Sequence, residues 1–372
     1  MKNQTNKAIA FLLMLCMLAL LTICAGAEKE HKSRSSARSM ALYEPSSGRF
    51  IFESNINEKL PMASTTKIMT ALIALEECDL NEDITVPPEA TGIEGSSIYL
   101  KAGDRVNMLD LIYSLLLGSA NDAATLLALK ISGDIPSFAT LMNKKAAELG
   151  LRDTCFQNPH GLDADGHYTT AHDLAILSAH ALLNPEFKRI TSTYKYSFAL
   201  GDEVRTVVNH NKLLKSCDGC IGVKTGYTKK SGRCLVSSAE RDGIQLIAVT
   251  LDCPDDWREH KELFDFGFNL LESYSLSDLT NTEYTLPLIG AEGDSVTVRA
   301  EATKSYVCYK DTEEFTTRIY LPRYITAPKK KGDTVGYIEV YLGDNLLDKI
   351  EIKIIENIEE KKNKNPFSIL FN

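Results

Sequence analysis

Three features are lacking in this chain, a basic excess, a glycine or proline bias and a metal-ligand spacing, and each lack closes off a class of protein. Basic charge does not dominate: 41 Lys and Arg stand against 50 Asp and Glu, a formal net charge of −9, whereas a nucleic-acid binder would show a basic face. Glycine (22) and proline (12) are ordinary in number and no internal repeat is present, which excludes collagen-like and low-complexity chains. Metal-ligand spacing is missing as well. Cys217-Asp218-Gly219-Cys220 has no second Cys-x-x-Cys and no nearby His pair to complete a zinc site, and no Glu-x-x-His pattern falls on His160, His167 or His172 to support zinc hydrolysis. What is there is a normal folded composition, 44% hydrophobic and 24% charged over 372 residues, the length of about two domains. Such a chain is acidic and carries a core large enough for an enzyme.

The first residues set the compartment. Lys2 and Lys7 precede an apolar run from Ala8 to Cys24, followed by Ala25-Gly26-Ala27 and the charged Glu28-Lys29-Glu30. A positive start, a short apolar stretch and small residues at −3 and −1 read as a secretory signal over 1–27, cut after Ala27. An uncleaved anchor is the alternative, since the run approaches spanning length. Either way the remainder works outside the cytoplasm. Cys16 and Cys24 leave with the signal, and the seven others, an odd number, cannot all pair internally. Cys217 and Cys220 precede a strand pattern rather than opening a helix after one, so they read as a loop disulfide or as plain thiols, not as a thioredoxin-type redox pair.

After a polar linker over 28–39, the chain has two textures. Met40 to Tyr43 and Phe50 to Phe52 flank Pro45-Ser46-Ser47-Gly48, which predicts two strands and a turn. Helical spacing runs from about Ser64 to Leu183, as in Ile68, Leu72 and Leu75 or Phe138, Leu141, Met142 and Leu149. Strand patterns return at Ile221 to Val223, Cys234 to Val236 and Ile244 to Val249, and a last helix pattern covers about Asp256 to Leu271. This order predicts an α/β (α+β) sandwich over 40–272, closed by strands distant in sequence. From 273 to 357 short alternating runs, such as Ser295 to Val298 and Thr317 to Leu321, predict a small all-β domain. Lys329-Lys330-Lys331 reads as a solvated hairpin tip. The tail, 358–372, sets Lys361, Lys362 and Lys364 beside Phe367, Ile369, Leu370 and Phe371. That pattern suits a membrane-surface anchor, although Pro366 interrupts any helix there.

Three short motifs carry chemistry. Ser64-Thr65-Thr66-Lys67 opens a helix, where i to i+3 spacing puts hydroxyl and amine on one face. A serine needs an adjacent base, and a desolvated lysine with a lowered pKa can serve. The helix start also offers N–H groups where an oxyanion forms. Alone this is weak, because Ser192-Thr193-Tyr194-Lys195 has the same spacing. Company strengthens it: Ser119-Ala120-Asn121 falls between two helical runs, and Lys224-Thr225-Gly226 lies on an apolar strand. There Gly226 lets a substrate backbone lie alongside, while Lys224 and Thr225 suit a carboxylate.

Ser-x-x-Lys, Ser-x-Asn and Lys-Thr-Gly in this order form the signature of penicillin-binding proteins and serine β-lactamases. The segments Ala63 to Leu72, Asn158 to Asp163, Thr170 to Ala175 and Lys224 to Val236 resemble the low-molecular-mass D-alanyl-D-alanine carboxypeptidases, family S11 of the serine peptidases. The likeness runs from about Met40 to Leu271, and more weakly through the β domain. It implies a penicillin-binding/β-lactamase-like fold with helices around an antiparallel sheet. It implies a peptidoglycan stem peptide as substrate, β-lactams as inhibitors and no cofactor. It also implies roles: Ser64 as nucleophile, Lys67 as base, Ser119 as proton relay, Asn121 on the substrate amide, and Lys224 and Thr225 on the terminal carboxylate. Ser64 and Tyr227 would supply oxyanion N–H groups, and Arg258 would support the carboxylate.

Other readings remain open from sequence. A class A-like β-lactamase needs a Glu-x-x-Leu-Asn loop, and Glu148 to Arg152 is the nearest approach, without the Asn. A transpeptidase would pass the acyl group to a second stem, and a non-catalytic wall-binding relative would keep only the fold. His160, His167 and His172 crowd one stretch with Asp163 and Asp165, but their spacing does not suit a metal.

Overall fold

The computed structural model describes residues 35–276, 282–300 and 305–361. The expected signal, most of the linker and the end of the tail therefore lie outside the described residues. The chain divides into two compact units between Leu270 and Leu271.

In the first unit a five-stranded antiparallel sheet has the order β2-β1-β9-β8-β7. Its strands are β1 (Ser39–Glu44) and β2 (Arg49–Ser54), then β7 (Cys220–Thr228), β8 (Gly232–Arg241) and β9 (Ile244–Leu251). The two ends of the unit meet where Met40 pairs with Thr250, the sequence-distant closure expected above. Two small hairpins were not foreseen: β3 (Asp83–Thr85) with β4 (Arg105–Asn107), and β5 (Lys195–Leu200) with β6 (Glu203–Val208). The signal for the second was present, in Tyr196, Phe198 and Leu200 alternating before Gly201-Asp202.

The helices are α1 (Lys67–Glu77), α2 (Met108–Leu116), α3 (Asn121–Ser132), α4 (Ile135–Glu148), α5 (Ala171–Leu182), α6 (Pro185–Ser192), the single turn α7 (Leu213–Ser216) and α8 (Asp256–Leu270). Local chemistry starts several of them. Asn107, Asp134, Thr170 and Asn184 each accept a backbone N–H of the following turn, a cap that contributes about 1 kcal/mol. Helix α1 is different, because every residue from Lys67 to Ala74 is buried. A helix apolar all round belongs in a core, and Ile68, Met69, Leu72 and Ile73 do sit in the main one. β8 is likewise buried without a break from Cys234 to Ala239, so both faces of the sheet are covered. No described helix is long and apolar enough to cross a membrane.

The second unit is all β. Strands β10 (Leu271–Ser275) and β13 (Ser305–Tyr309) pair with each other. A six-stranded sheet of order β14-β16-β17-β12-β11-β15 holds β11 (Glu283–Ile289), β12 (Ser295–Ala300), β14 (Phe315–Tyr320), β15 (Ile325–Thr326), β16 (Thr334–Leu342) and β17 (Asn345–Ile354). Alternation builds its core: Ile338 and Val340 on β16 and Ile350, Ile352 and Ile354 on β17 point inward, as the two-residue period of a strand requires.

Candidate active site

Ser64 lies half-buried in a 3-10 turn, Ala63–Thr66, that runs straight into α1. Lys67 is fully buried, with its Nζ 2.9 Å from Ser64 Oγ and 2.7 Å from Asn121 Oδ1, and also against the carbonyl oxygen of His160. Burial pushes the Lys67 ammonium well below its ordinary pKa; the nearby charge of Lys224 adds to this and Asp122 opposes it. A neutral amine has two N–H donors and one lone pair. In that form the two carbonyl oxygens take the donors and the lone pair is left for the Ser64 hydroxyl; as an ammonium, Nζ donates to all three oxygens.

The other two motifs converge here. Asn121 opens α3, donates from Nδ2 to the Glu94 carbonyl, and bonds through its backbone N–H to Ser96 O at 2.7 Å. Its neighbour Asp122, nearly fully buried, accepts from Ser97 Oγ and from the N–H groups of Ile98 and Leu100, which fixes the loop bearing Ser96. Ser119 has φ +58° and Ala63 φ +46°. A left-handed backbone costs a residue with a side chain roughly 1–2 kcal/mol, and strain of this kind gathers at working sites. Lys224 is buried in β7, donates to Thr225 O at 2.9 Å, and has its pKa lowered by burial to about 7. A Cβ on Gly226 would stand 3.0 Å from Ser64 N and 3.1 Å from Ala63 Cβ, so β7, an edge strand, passes flush against the nucleophile turn. Tyr227 projects its ring into solvent.

A cleft of about 740 Å³ opens over these groups, lined by Ser64, Ser96, Ser119, Thr225, Gly226 and Tyr227, with Arg233, Asp256 and Trp257 and a segment from Asn209 to Lys215. A family model described as D-alanyl-D-alanine carboxypeptidase matches residues 26–255. The chain belongs to this carboxypeptidase family. A second model, the C-terminal domain of penicillin-binding protein 5, matches residues 282–360, within the β unit. Among relatives, D-alanyl-D-alanine carboxypeptidase DacF of Bacillus subtilis is 31% identical over 89% of this chain and 89% of its own length. D-alanyl-D-alanine carboxypeptidase DacC of Escherichia coli is 34% identical, over 87% and 84%. The crystal structure of penicillin-binding protein 5 from Haemophilus influenzae superposes with a TM-score of 0.65 at 27% identity, covering 88% of this chain and 98% of that one. The expected fold, helices around an antiparallel sheet with a small β domain, is the fold observed.

One expected site residue of the carboxypeptidase does not join the others. Arg258 is held by three carboxylates on its own helix and the turn before it, Asp255 at 2.6 Å, Glu262 at 2.8 Å and Glu259 at 2.9 Å, and it does not line the cleft. The cleft arginine is Arg233, whose Nε and Nη2 reach the two oxygens of buried Asp256 at 3.1 and 2.8 Å. Sequence reasoning missed its role, although Arg233 lies inside the Lys224 to Val236 segment that carries the resemblance. The turn between Thr228 and Gly232 was the available signal, since pairing across it sets Arg233 opposite Tyr227.

Within the histidine stretch, His167 is a strut. Gln157 N–H donates to His167 Nδ1 at 3.0 Å, so Nε2 carries the proton and donates to Thr66 Oγ1 at 2.7 Å. Thr66 in turn donates to Ala63 O at 2.8 Å. Burial keeps His167 neutral, with a pKa of about 4. Gly161 meets the same turn: a Cβ there would fall 1.9 Å from Ala63 O. All seven described cysteines are free, including Cys217 and Cys220.

Proposed function

We propose that the protein is a serine-type D-alanyl-D-alanine carboxypeptidase, which removes the terminal D-alanine from peptidoglycan stem pentapeptides through an acyl-enzyme on Ser64. The contact that carries this reading is the 2.9 Å approach of Lys67 Nζ, buried and with its pKa pushed well down by desolvation, to Ser64 Oγ. Ser64 Oγ attacks the carbonyl carbon of the penultimate D-alanine as its proton passes to Lys67. The oxygen that becomes negative accepts from the backbone N–H groups of Ser64 and Tyr227. The C–N bond then breaks, and a proton relayed through Ser119 goes to the departing amine of D-alanine. Asn121 orients Lys67 and the substrate amide. Lys224, Thr225 and Arg233 receive the terminal carboxylate, the role expected of Arg258 falling to Arg233. Water hydrolyses the acyl-enzyme and restores Ser64. A β-lactam presents a strained amide in the same place and acylates the same hydroxyl.

The same reading makes the chain an exported one, with 1–27 removed after Ala27, acting on the cell wall and held at the outer membrane face by the tail. Sequencing of the mature secreted protein should begin at Glu28, and deletion of 365–372 should release it from membranes. The activity itself is tested with a pentapeptide ending in two D-alanines: free D-alanine appears with the wild type and not with Ser64→Ala. No release by the wild type defeats the reading.

A further inference from the structure

The cleft carries a charge opposite to that of the whole chain. The protein is acidic, at −9, yet its cleft is lined by Lys212, Lys215 and Arg233 and by one acid, Asp256, which Arg233 already neutralises through two hydrogen bonds. Among the described residues, no ion pair joins Lys212 or Lys215 to a carboxylate.

The segment bearing them is built firmly. Asn209, nearly buried, donates from Nδ2 to the carbonyls of Thr191 and Thr193 at 3.0 and 3.1 Å and accepts from Asn211 N–H at 2.9 Å. Asn211, also buried, accepts from Leu213 N–H at 3.0 Å. His210 N–H donates to Leu117 O at 3.3 Å, which ties the segment to the loop bearing Ser119. Lys215 Nζ stands 3.6 Å over the ring of Tyr194, a cation–π contact that orients the ammonium. A rigid frame of this kind presents its charges at fixed places.

Two stations for an anion therefore face one cleft, the two lysines and Arg233, whose pairing with Asp256 uses Nε and Nη2 but not Nη1. Arg233 stands across the β7–β8 pairing from Tyr227, and the two lysines stand on the segment joined to the Ser119 loop. The terminal carboxylate of a D-alanyl-D-alanine peptide can engage one station and leaves the other empty. We propose that Lys212 and Lys215 form a subsite for a second substrate carboxylate, borne on the side chain that precedes the two D-alanines. The inference rests on the carboxypeptidase reading and narrows its substrate class to stem peptides that are acidic at that position. Charge complementarity of this sort acts on selection and capture more than on the chemical step, so the effect belongs in kcat/KM.

The test uses three acetylated tripeptides ending in D-Ala-D-Ala, whose first side chain ends in a carboxylate, a primary amide or an ammonium. The full-length wild type at low salt should release D-alanine from the carboxylate peptide with about tenfold higher kcat/KM than from the amide, and more slowly still from the ammonium. In the Lys212→Glu, Lys215→Glu double variant the order should invert. Ratios measured within one preparation do not depend on how much of it is folded. Equal kcat/KM for the three peptides, or an order unchanged in the double variant, overturns the subsite while leaving the carboxypeptidase intact. Release from none of the three overturns the carboxypeptidase reading and the subsite with it.

Discussion

Ser64 and Lys67 stand three positions apart, as do Ser192 and Lys195, yet only one pair forms a chemical unit. Ser192 ends α6 in solvent, its hydroxyl turned back to the Lys188 carbonyl at 2.8 Å, and Lys195 is an exposed residue opening β5. The backbone changes from helix to strand between them, so the spacing that converges two side chains on a helix no longer applies. From Ser64 the turn continues into α1, and α1 is buried on every side. Burial supplies what the motif does not contain: it removes the water that would stabilise an ammonium and so lowers the Lys67 pKa, toward the form that can accept a proton. A motif is thus only a spacing until the fold decides the solvation of its members.

The comparison can be broken at its strongest point by Lys67→Met, which keeps the buried volume and removes the base. Peptide kcat/KM should fall about 10³-fold, while Lys195→Met stays within about twofold of wild type; equal effects would dissolve the distinction. Next in size is Gly161→Ala. Its Cβ would collide with Ala63 O, 1.9 Å away, at a φ of +87°, and displacing the nucleophile turn should cost about 10²-fold in activity. Gly201→Ala, in the hairpin after Lys195, has open space at φ +59°, and should lower Tm without changing kcat/KM. Arg233→Ala should raise KM about tenfold and Arg258→Ala less than twofold, as steady-state kinetics with one peptide will decide. Smaller than the loss at Arg233 is the effect of pH. Burial brings Lys224 to about 7, so it is charged below that pH and neutral above. In the free enzyme, kcat/KM should therefore decline several-fold as pH rises through about 7. A flat profile there would show that the Lys224 charge does not serve binding.

What the sequence made legible follows from the range of each interaction. Ser64 with Lys67, Ser119 with Asn121, and Lys224 with Thr225 and Gly226 are neighbours along the chain, so their spacing survives in any reading of it. The main sheet was legible too, because the buried stretches of β8 and β9 contain the short apolar runs Cys234 to Val236 and Leu246 to Val249. Arg233 was hidden because its place depends on the β7–β8 register and on where α8 begins. Arg258 looked suitable by position alone, but one turn of helix puts it among Asp255, Glu259 and Glu262. The His167 to Thr66 strut joins residues 101 positions apart, which no local pattern records.

The central claim is that desolvation arms one serine and not its look-alike. It is tested most directly by treating the full-length protein with benzylpenicillin and mapping the covalent adduct by peptide mass spectrometry. The account predicts a single adduct on Ser64, none on Ser192, and none at all in Lys67→Met on the same timescale. An adduct at any other residue, or undiminished labelling of Ser64 without the Lys67 amine, would contradict it.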